Sequence, residues 1–454
     1  MLPIEFQAVL LAGGRGSRFP DLTEGRPKCL LPVGPLPLIW YPLNLLQRHG
    51  FQDVIVVVIE SQKAEIQQQL EHTSLTIRVE YFTISSDHDF GTADTLRLIG
   101  DKIKSDLFVV SCDLVTNVSL YPLINKFRQH DATLVALLMK GCDDDAIVPG
   151  QKSKEKPERD LILTNLNTNR LIFSASLSDF EEQVSLPGHL FRGNGKVQID
   201  SRLLDAHVYI IKRWVLEFLQ ESKGFSTMKG ELLPYIVKKQ MSQPFNHTEV
   251  EKPMSDFNVN PHVDDIFTFV SHSLLAQKIA ETSLYSEEKH KPSKNVDLIK
   301  CYAVKARKDS FGVRVNTLRS FCAANQKIYS LIADMSTTKI PLVHPNSTVE
   351  SNQVTQCSIG ENTKINSKTS LKNSVIGANC VVNPKVRITD CILMNNVEIE
   401  EGVVLENCII CDKAVVKKGS ILKNCLVGFN FIVPEGAQKE KTNFTTSSTH
   451  FMEI

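Results

Sequence analysis

The stretch from Ile359 to Val433 constrains this chain more than any other. Aliphatic residues fall at Ile359, Ile365, Leu371, Ile376, Val382, Ile388, Leu393, Ile399, Leu405, Ile410, Val416, Leu422, Val427 and Val433, with gaps of 6, 6 and 5 repeating throughout. Three short sides therefore complete one coil of 17 residues, four times between Ile359 and Val427. A helix would show a period near 3.6 and a half-buried strand a period of 2, and neither is present. One inward aliphatic per six-residue side is the pattern of a stacked parallel β-helix. The same phase places Cys357, Ser374, Cys391, Cys408 and Cys425 at one corner and Asn373, Asp390, Asn407 and Asn424 beside them. Coils stack at about the inter-strand spacing of 4.8 Å, so these side chains are expected to form two ladders. Cys408-Ile-Ile-Cys411 looks like half a zinc site, but no second such pair accompanies it. The cysteine ladder already accounts for Cys408.

Residues 1–240 alternate strand-like and helix-like segments. Phe6–Leu11, Val54–Ile59 and Leu107–Val110 read as strands, the last two as runs buried on both faces. Leu43–His49, Ala64–Leu70 and Ala93–Gly100 read as intervening helices, which predicts an α/β domain with a mostly parallel sheet. Gly141–Asp160 is a charged loop, Met241–Asn260 an irregular polar segment, Asp264–Leu284 a helix, and Ser286–Asn295 a polar connector. The expected division is 1–333 for the α/β domain, with irregular insertions at about 141–160 and 241–300, and 334–454 for the β-helix.

Composition sets outer limits. The 454 residues suffice for roughly two or three domains. Lysine and arginine total 51, as do aspartate and glutamate, so the balance gives no argument for nucleic acid or membrane as a partner. No apolar run approaches the ~20 residues of a membrane span, and the N-terminus lacks the basic region of a signal peptide. Eleven scattered cysteines read as reduced thiols, which suits the cytosol.

The chemistry begins at Leu11-Ala-Gly-Gly-Arg-Gly-Ser-Arg18, where a strand runs into a glycine-rich turn closed by Pro27-Lys28. Gly13, Gly14 and Gly16 would let backbone approach phosphate oxygens, while Ser17, Arg18 and Lys28 would answer their charge. A glycine-bearing turn serves the fold as well as it serves a phosphate, and both readings stand.

The longer phrase from Leu10 to Gly34 resembles the sugar-1-phosphate nucleotidyltransferases, as do Phe90-Gly-Thr-Ala-Asp-Thr-Leu96, Ser111-Cys-Asp113 and the stretch Thr317 to Asn325. A β-helix commonly follows the catalytic domain in that family, and the likeness implies that the one here is left-handed. The family's reaction joins a sugar phosphate to a nucleotide α-phosphate and expels pyrophosphate around a divalent cation held by two aspartates. Asp113 matches the first. Where the second is expected the chain reads Arg314-Val-Asn-Thr317, which puts a cation at a metal-ligand position. The family's Glu-Lys-Pro is replaced by Ser174-Ala-Ser176, and its Asn-Ala-Gly by Asp205-Ala-His207 with Tyr209 beyond. Three losses in separate segments predict a protein that does not turn over, leaving a vestigial nucleotide site and Asp113 as a vestigial metal ligand. An acyltransferase built on the β-helix is disfavoured, because no histidine lies between Pro345 and Thr449.

Among the inactive relatives, Pro37 to Leu46, Val110 to Asn117, Leu204 to Tyr209 and Met452-Glu-Ile454 resemble the gamma subunits of translation initiation factor 2B. That resemblance implies a cytosolic complex that accelerates GDP release from initiation factor 2 and is inhibited by phosphorylation of that factor's alpha subunit. It implies the epsilon subunit and the other subunits of the complex as partners. The epsilon subunit carries the exchange chemistry on a C-terminal helical extension, and this sequence ends after its repeats. The chain is therefore expected to be a structural and regulatory subunit without a cofactor. The alternative is an active pyrophosphorylase of the GDP-mannose or ADP-glucose type.

Overall fold

A computed structural model describes residues 5–445, apart from 17, 19, 87–88, 142–147, 151–158, 181–182, 192–193, 243–265, 271–297 and 336–339. Ser17, most of the Gly141–Asp160 loop, nearly all of Met241–Asn260, the Ser286–Asn295 connector and the Met452–Ile454 terminus lie outside these residues. Of the helix expected over Asp264–Leu284, only residues 266–270 are described, beginning with a 3-10 turn at Ile266–Thr268.

The N-terminal part is built on a seven-stranded sheet. In spatial order its strands are Cys301–Lys305, Leu134–Lys140, Leu203–Ile211, Asp106–Ser111, Phe6–Leu11, Asp53–Ile59 and Arg78–Ile84. All neighbours pair in parallel except Leu203–Ile211, which is antiparallel to both of its partners. The runs Val54–Ile59 and Leu107–Val110 are apolar throughout because both sheet faces are covered. One face packs the helices Trp40–Arg48 and Tyr121–His130 over Leu10, Val56 and Val110. The other packs Arg213–Glu221 and Leu233–Lys239 over Val9, Val57 and Val109. Chain order reverses beside Phe6–Leu11: the next two strands lie on one side, and Asp106–Ser111 returns on the other. The carboxyl ends of Phe6–Leu11 and Asp106–Ser111 thus flank a topological switch point, where open α/β sheets place their sites.

Residues 348–444 form the left-handed parallel β-helix. Three sheets of six two- or three-residue strands stack in register, each strand from Gln353 on pairing with the one 17 residues further, as in Leu371↔Ile388↔Leu405↔Leu422. The inward aliphatics are all buried, from Ile359 at 1% exposure to Val433 at 0%. Both ladders exist. The backbone N–H of Cys391 donates to Ser374 Oγ at 3.1 Å, that of Cys408 to Cys391 Sγ at 3.3 Å, and that of Cys425 to Cys408 Sγ at 3.4 Å. Asn407 Nδ2 donates to Asn424 Oδ1 at 2.7 Å. Cys408 faces the interior of the coil, whereas Cys411 packs outward in the cluster between the domains.

The corners explain a periodicity that the aliphatic spacing does not. Asn373, Asp390, Asn407 and Asn424 have φ of 47°, 53°, 47° and 50°. A second corner repeats this at Asn362, Asn379, Asn396, Lys413 and Asn430, and a third at Lys368, Lys385, Gly402, Gly419 and Gly436. Each side thus ends in one left-handed residue, a conformation that Asn, Asp and Gly accept at least cost.

The sheet that runs from Ser358–Ile359 to Asn443–Phe444 docks on the N-terminal domain. Its outward residues Val375, Ile392, Ile409 and Leu426 are buried against the helix Leu318–Met335, and Tyr329 Oη donates to the Ser374 carbonyl at 2.9 Å. On the sheet that runs from Thr348–Val349 to Ile432–Val433, outward positions include Lys364 and Glu398.

Leu405, fully buried in a middle coil, tests the core. Leu405→Ala should cost about 2–5 kcal/mol in urea denaturation, whereas Val381→Ala on an outer face should stay within about 0.5 kcal/mol.

Candidate functional site

The strand Phe6–Leu11 leads into the glycine loop at the switch point. A side chain at Gly13 would meet Ile84 Cδ1 at 2.8 Å, and Gly16, with φ of 75°, sits against Thr23 and the Cβ of Lys28. Nothing lies within 4 Å of a Cβ added at Gly14. Arg15 reaches the Ser86 carbonyl and approaches Asp89 at 4.0 Å, and Arg18 is exposed at the rim. Lys28, on the 3-10 turn Lys28–Leu30, points inward instead.

Lys28 meets Asp113. This carboxylate follows the strand Asp106–Ser111 and its side chain is 4% exposed. Lys28 Nζ donates to Asp113 Oδ2 at 2.8 Å and Ser111 Oγ to Oδ1 at 2.8 Å. Arg314 donates from Nε to Oδ1 and from Nη2 to Oδ2, both at 3.3 Å. It is placed by the strand Gly312–Arg314, antiparallel to Leu114–Thr116, and by the Val315 amide, which donates to the Asp113 carbonyl at 2.7 Å. Burial alone would raise the Asp113 pKa, but Arg314 and then Lys28 and His207 outweigh it and hold the carboxyl well below its usual range.

This geometry does not suit a divalent cation. Both oxygens of Asp113 already accept charged hydrogen bonds, and the second carboxylate position is a guanidinium on the same side chain. A hard cation needs several oxygen ligands, and here two fixed positive charges would face it. Among the described residues, no group of three or more histidines, cysteines or acidic residues could hold a metal ion.

The flanking segments have been rebuilt too. Ser174-Ala-Ser176 does not follow its strand but completes it, since Leu171–Ser176 pairs with Asp160–Asn165 to its last residue. At Asp205-Ala-His207 the strand bulges, and His207 adopts φ of 51° while its N–H donates to Asp205 Oδ1 at 2.7 Å. Glycine takes this conformation without strain, which explains the residue expected there. Tyr209 Oη donates to Asp205 Oδ2 at 2.7 Å, and burial pushes the Asp205 pKa up to about 6. The Asp205 amide donates to Asp160 Oδ2 at 3.0 Å, and Lys229 lies 2.9 Å from Asp160 Oδ1. Lys229 stands on a π-helical turn, Met228–Leu232. The sequence carried no signal for Asp160 or Lys229, because 69 residues separate them and neither belongs to a spaced motif.

The remaining motifs serve the frame of the site. A Cβ at Gly91 would lie 2.2 Å from the Ser226 carbonyl, and the Gly91 N–H donates to Asp94 Oδ2 at 3.2 Å. Asn325 Oδ1 accepts the Gly34 N–H at 2.9 Å, which ties the helix Leu318–Met335 to the hairpin after Lys28. Asn44 Nδ2 donates to the Met335 carbonyl, fastening the buried Trp40–Leu46 tract to the end of the same helix.

Asp113→Asn should cost about 3–5 kcal/mol in chemical denaturation at pH 7, since it leaves two buried cations facing a neutral amide. The Asp113 pKa lies below its unfolded value, so the stabilisation is complete above about pH 4 and is lost as pH falls through the folded pKa. The gap between wild type and variant should therefore be constant from about pH 5 to 8 and shrink below about pH 4.

Comparison with known proteins agrees with both halves. Residues 7–146 match the nucleotidyl transferase family model, and residues 343–438 match that of the EIF2B subunit epsilon LbH domain. The chain is 35% identical over 240 residues to translation initiation factor eIF2B subunit gamma of Caenorhabditis elegans, covering 52% of this chain and 59% of that one. It is 32% identical over 252 residues to the protein of the same name from Schizosaccharomyces pombe, covering 55% and 54%. The one from Dictyostelium discoideum is 26% identical over 401 residues, covering 83% and 88%. The match thus spans little more than half the length of the first two relatives. The chain is thus similar to relatives named eIF2B subunit gamma, and it carries a nucleotidyl transferase match followed by an LbH-domain match.

Proposed function

We propose that this chain is a non-catalytic structural and regulatory subunit of an eIF2B-type complex, which accelerates GDP/GTP exchange on translation initiation factor 2 and is inhibited when that factor's alpha subunit is phosphorylated. Its partners are an epsilon subunit, the remaining subunits of the complex and initiation factor 2, and it works in the cytosol. The relatives named eIF2B subunit gamma support the assembly, and one observation supports the lack of turnover. Arg314 and Lys28 both grip the carboxylate that a transferase would offer to its metal.

An exchange factor acts by binding the nucleotide-free state of its target more tightly than the nucleotide-bound state. A subunit contributes by holding partner and target in register, and two domains joined through a continuous apolar cluster make a rigid frame for that. Gly13, Gly14, Gly16, Ser17, Arg18 and Lys28 constitute a vestigial nucleotide site. Lys28 and Arg314 bring two positive charges to one carboxylate, Asp113, and this imbalance favours a phosphate over a metal. Asp113 is the vestige of the metal ligand.

Incubation of the purified chain with nucleoside triphosphates, Mg²⁺ and sugar-1-phosphates should give no steady pyrophosphate release; sustained turnover would restore the pyrophosphorylase alternative. Arg314→Asp should stay inactive in the same assay, because the Ser174–Ser176 and Asp205–His207 segments also depart. Native mass spectrometry of complexes purified from cells should find the chain with non-identical partners. Recovery only as a monomer or homo-oligomer would refute the subunit assignment.

A further inference from the structure

The segment that presents Lys28 is fastened to the β-helix. A Cβ at Gly25, whose φ is 73°, would lie 3.2 Å from the Phe429 ring. Arg26 follows, with Nη2 donating to Asp412 Oδ1 at 3.1 Å and Nε 3.0 Å from Oδ2. The two side chains are 13% and 10% exposed, so this is a bidentate ion pair largely removed from water. Asp412 is itself fixed in its coil, because Oδ1 also accepts the Asn395 N–H at 2.7 Å. One residue, Pro27, separates Arg26 from Lys28, and its ring removes most of the freedom between them. The turn closes through Leu30 N–H to the Pro27 carbonyl at 2.9 Å and Leu31 N–H to the Lys28 carbonyl at 3.1 Å. Lys28 then reaches Asp113.

The second cation is anchored differently, by the pairing of Gly312–Arg314 with Leu114–Thr116 and by the Val315 N–H on the Asp113 carbonyl at 2.7 Å. The helix Leu318–Met335 that follows it packs on the β-helix through Tyr329 and the interdomain cluster, four residues beyond Arg314. Asp113 is held by the central sheet. Of the two cations, Lys28 is therefore the one carried by a segment that the β-helix holds, while Arg314 and the common anion Asp113 are fixed to each other within the α/β domain.

We propose that Arg26 and Asp412 form a positioning pair through which the β-helix sets the place of Lys28, coupling anion binding at Lys28 and Arg314 to the docking of the β-helix. A phosphate that reaches Lys28 must share the ammonium with Asp113 or draw it away, and the displacement passes through Pro27 to Arg26. By linkage, any partner that shifts Asp412 changes anion affinity, and a bound anion changes affinity for that partner by the same factor. The coupling half rests on the phosphate reading of the site; the positioning half does not.

Asp412→Asn keeps the shape of the side chain and removes its charge. In hydrogen exchange on the full chain, the amides of Leu30 and Leu31 should exchange about tenfold faster in the variant, while those of Phe6–Leu11 and Ile409–Ile410 stay unchanged. Unchanged exchange at Leu30 and Leu31, or an equal rise everywhere, would overturn the proposal, the latter because the pair would then only support the fold. Calorimetric titration with inorganic tripolyphosphate, without metal, should show about five- to tenfold weaker binding to Asp412→Asn than to wild type. Equal binding to both proteins would refute the coupling. Binding to neither would refute the phosphate reading, and with it the coupling, while the exchange data would still decide the positioning role.

Discussion

Two cations on one buried carboxylate organise this molecule. Lys28 and Arg314 lie 85 and 201 residues from Asp113 along the chain, and each is within 3.3 Å of it. Neither charge could be buried alone, since removing an ion from water costs several kcal/mol unless a partner repays it. Asp113 therefore closes the glycine-loop segment and the Gly312–Arg314 hairpin onto the end of the central sheet at once. The same contact decides the chemistry. With Ser111 as a further donor, each Asp113 oxygen already accepts two hydrogen bonds, so little is left for a hard cation, which would also face two fixed positive charges.

The β-helix reaches stability by another route. Its interior is a column of aliphatic side chains, one per side, each worth about 1.5–3 kcal/mol when fully buried. Its corners need a left-handed residue every five or six positions, and Asn, Asp, Lys and Gly provide them. Repetition makes each coil the template of the next, so hydrogen bonds run continuously from the first strand to the last. One of the three outer faces is apolar as well, and that face meets the helix Leu318–Met335. The interface is thus a continuation of the cores on both sides, crossed by the polar link of Arg26 to Asp412.

The sheet, the glycine turn, the Gly91 contact with Ser226 and the clamp of Asn325 on Gly34 are packing and backbone devices, and they persist whether or not a reaction occurs. The departures from the nucleotidyltransferase phrases lie elsewhere, at Arg314, Ser174–Ser176 and Asp205–His207. Between Asp205 and Tyr209 the strand bulges, and a buried carboxyl–phenol hydrogen bond spans the bulge. Asp160 and Lys229 complete that polar patch.

The aliphatic gaps of 6, 6 and 5 determined the β-helix by themselves, because a repeating local pattern with one inward residue per side fits only that architecture. The alternation of β-branched runs with amphipathic segments determined the α/β domain for the same reason: burial on one face leaves a period in the chain. The departure at Arg314 was equally legible, since its position relative to Thr317 and Asn325 is a matter of spacing. That Arg314 and Lys28 meet on Asp113, that Asp160 pairs with Lys229, and that Arg26 is held by Asp412 were decided only by tertiary structure. Pairs separated by tens to hundreds of residues leave no periodic trace, and their charges acquire meaning only when the fold removes water from between them.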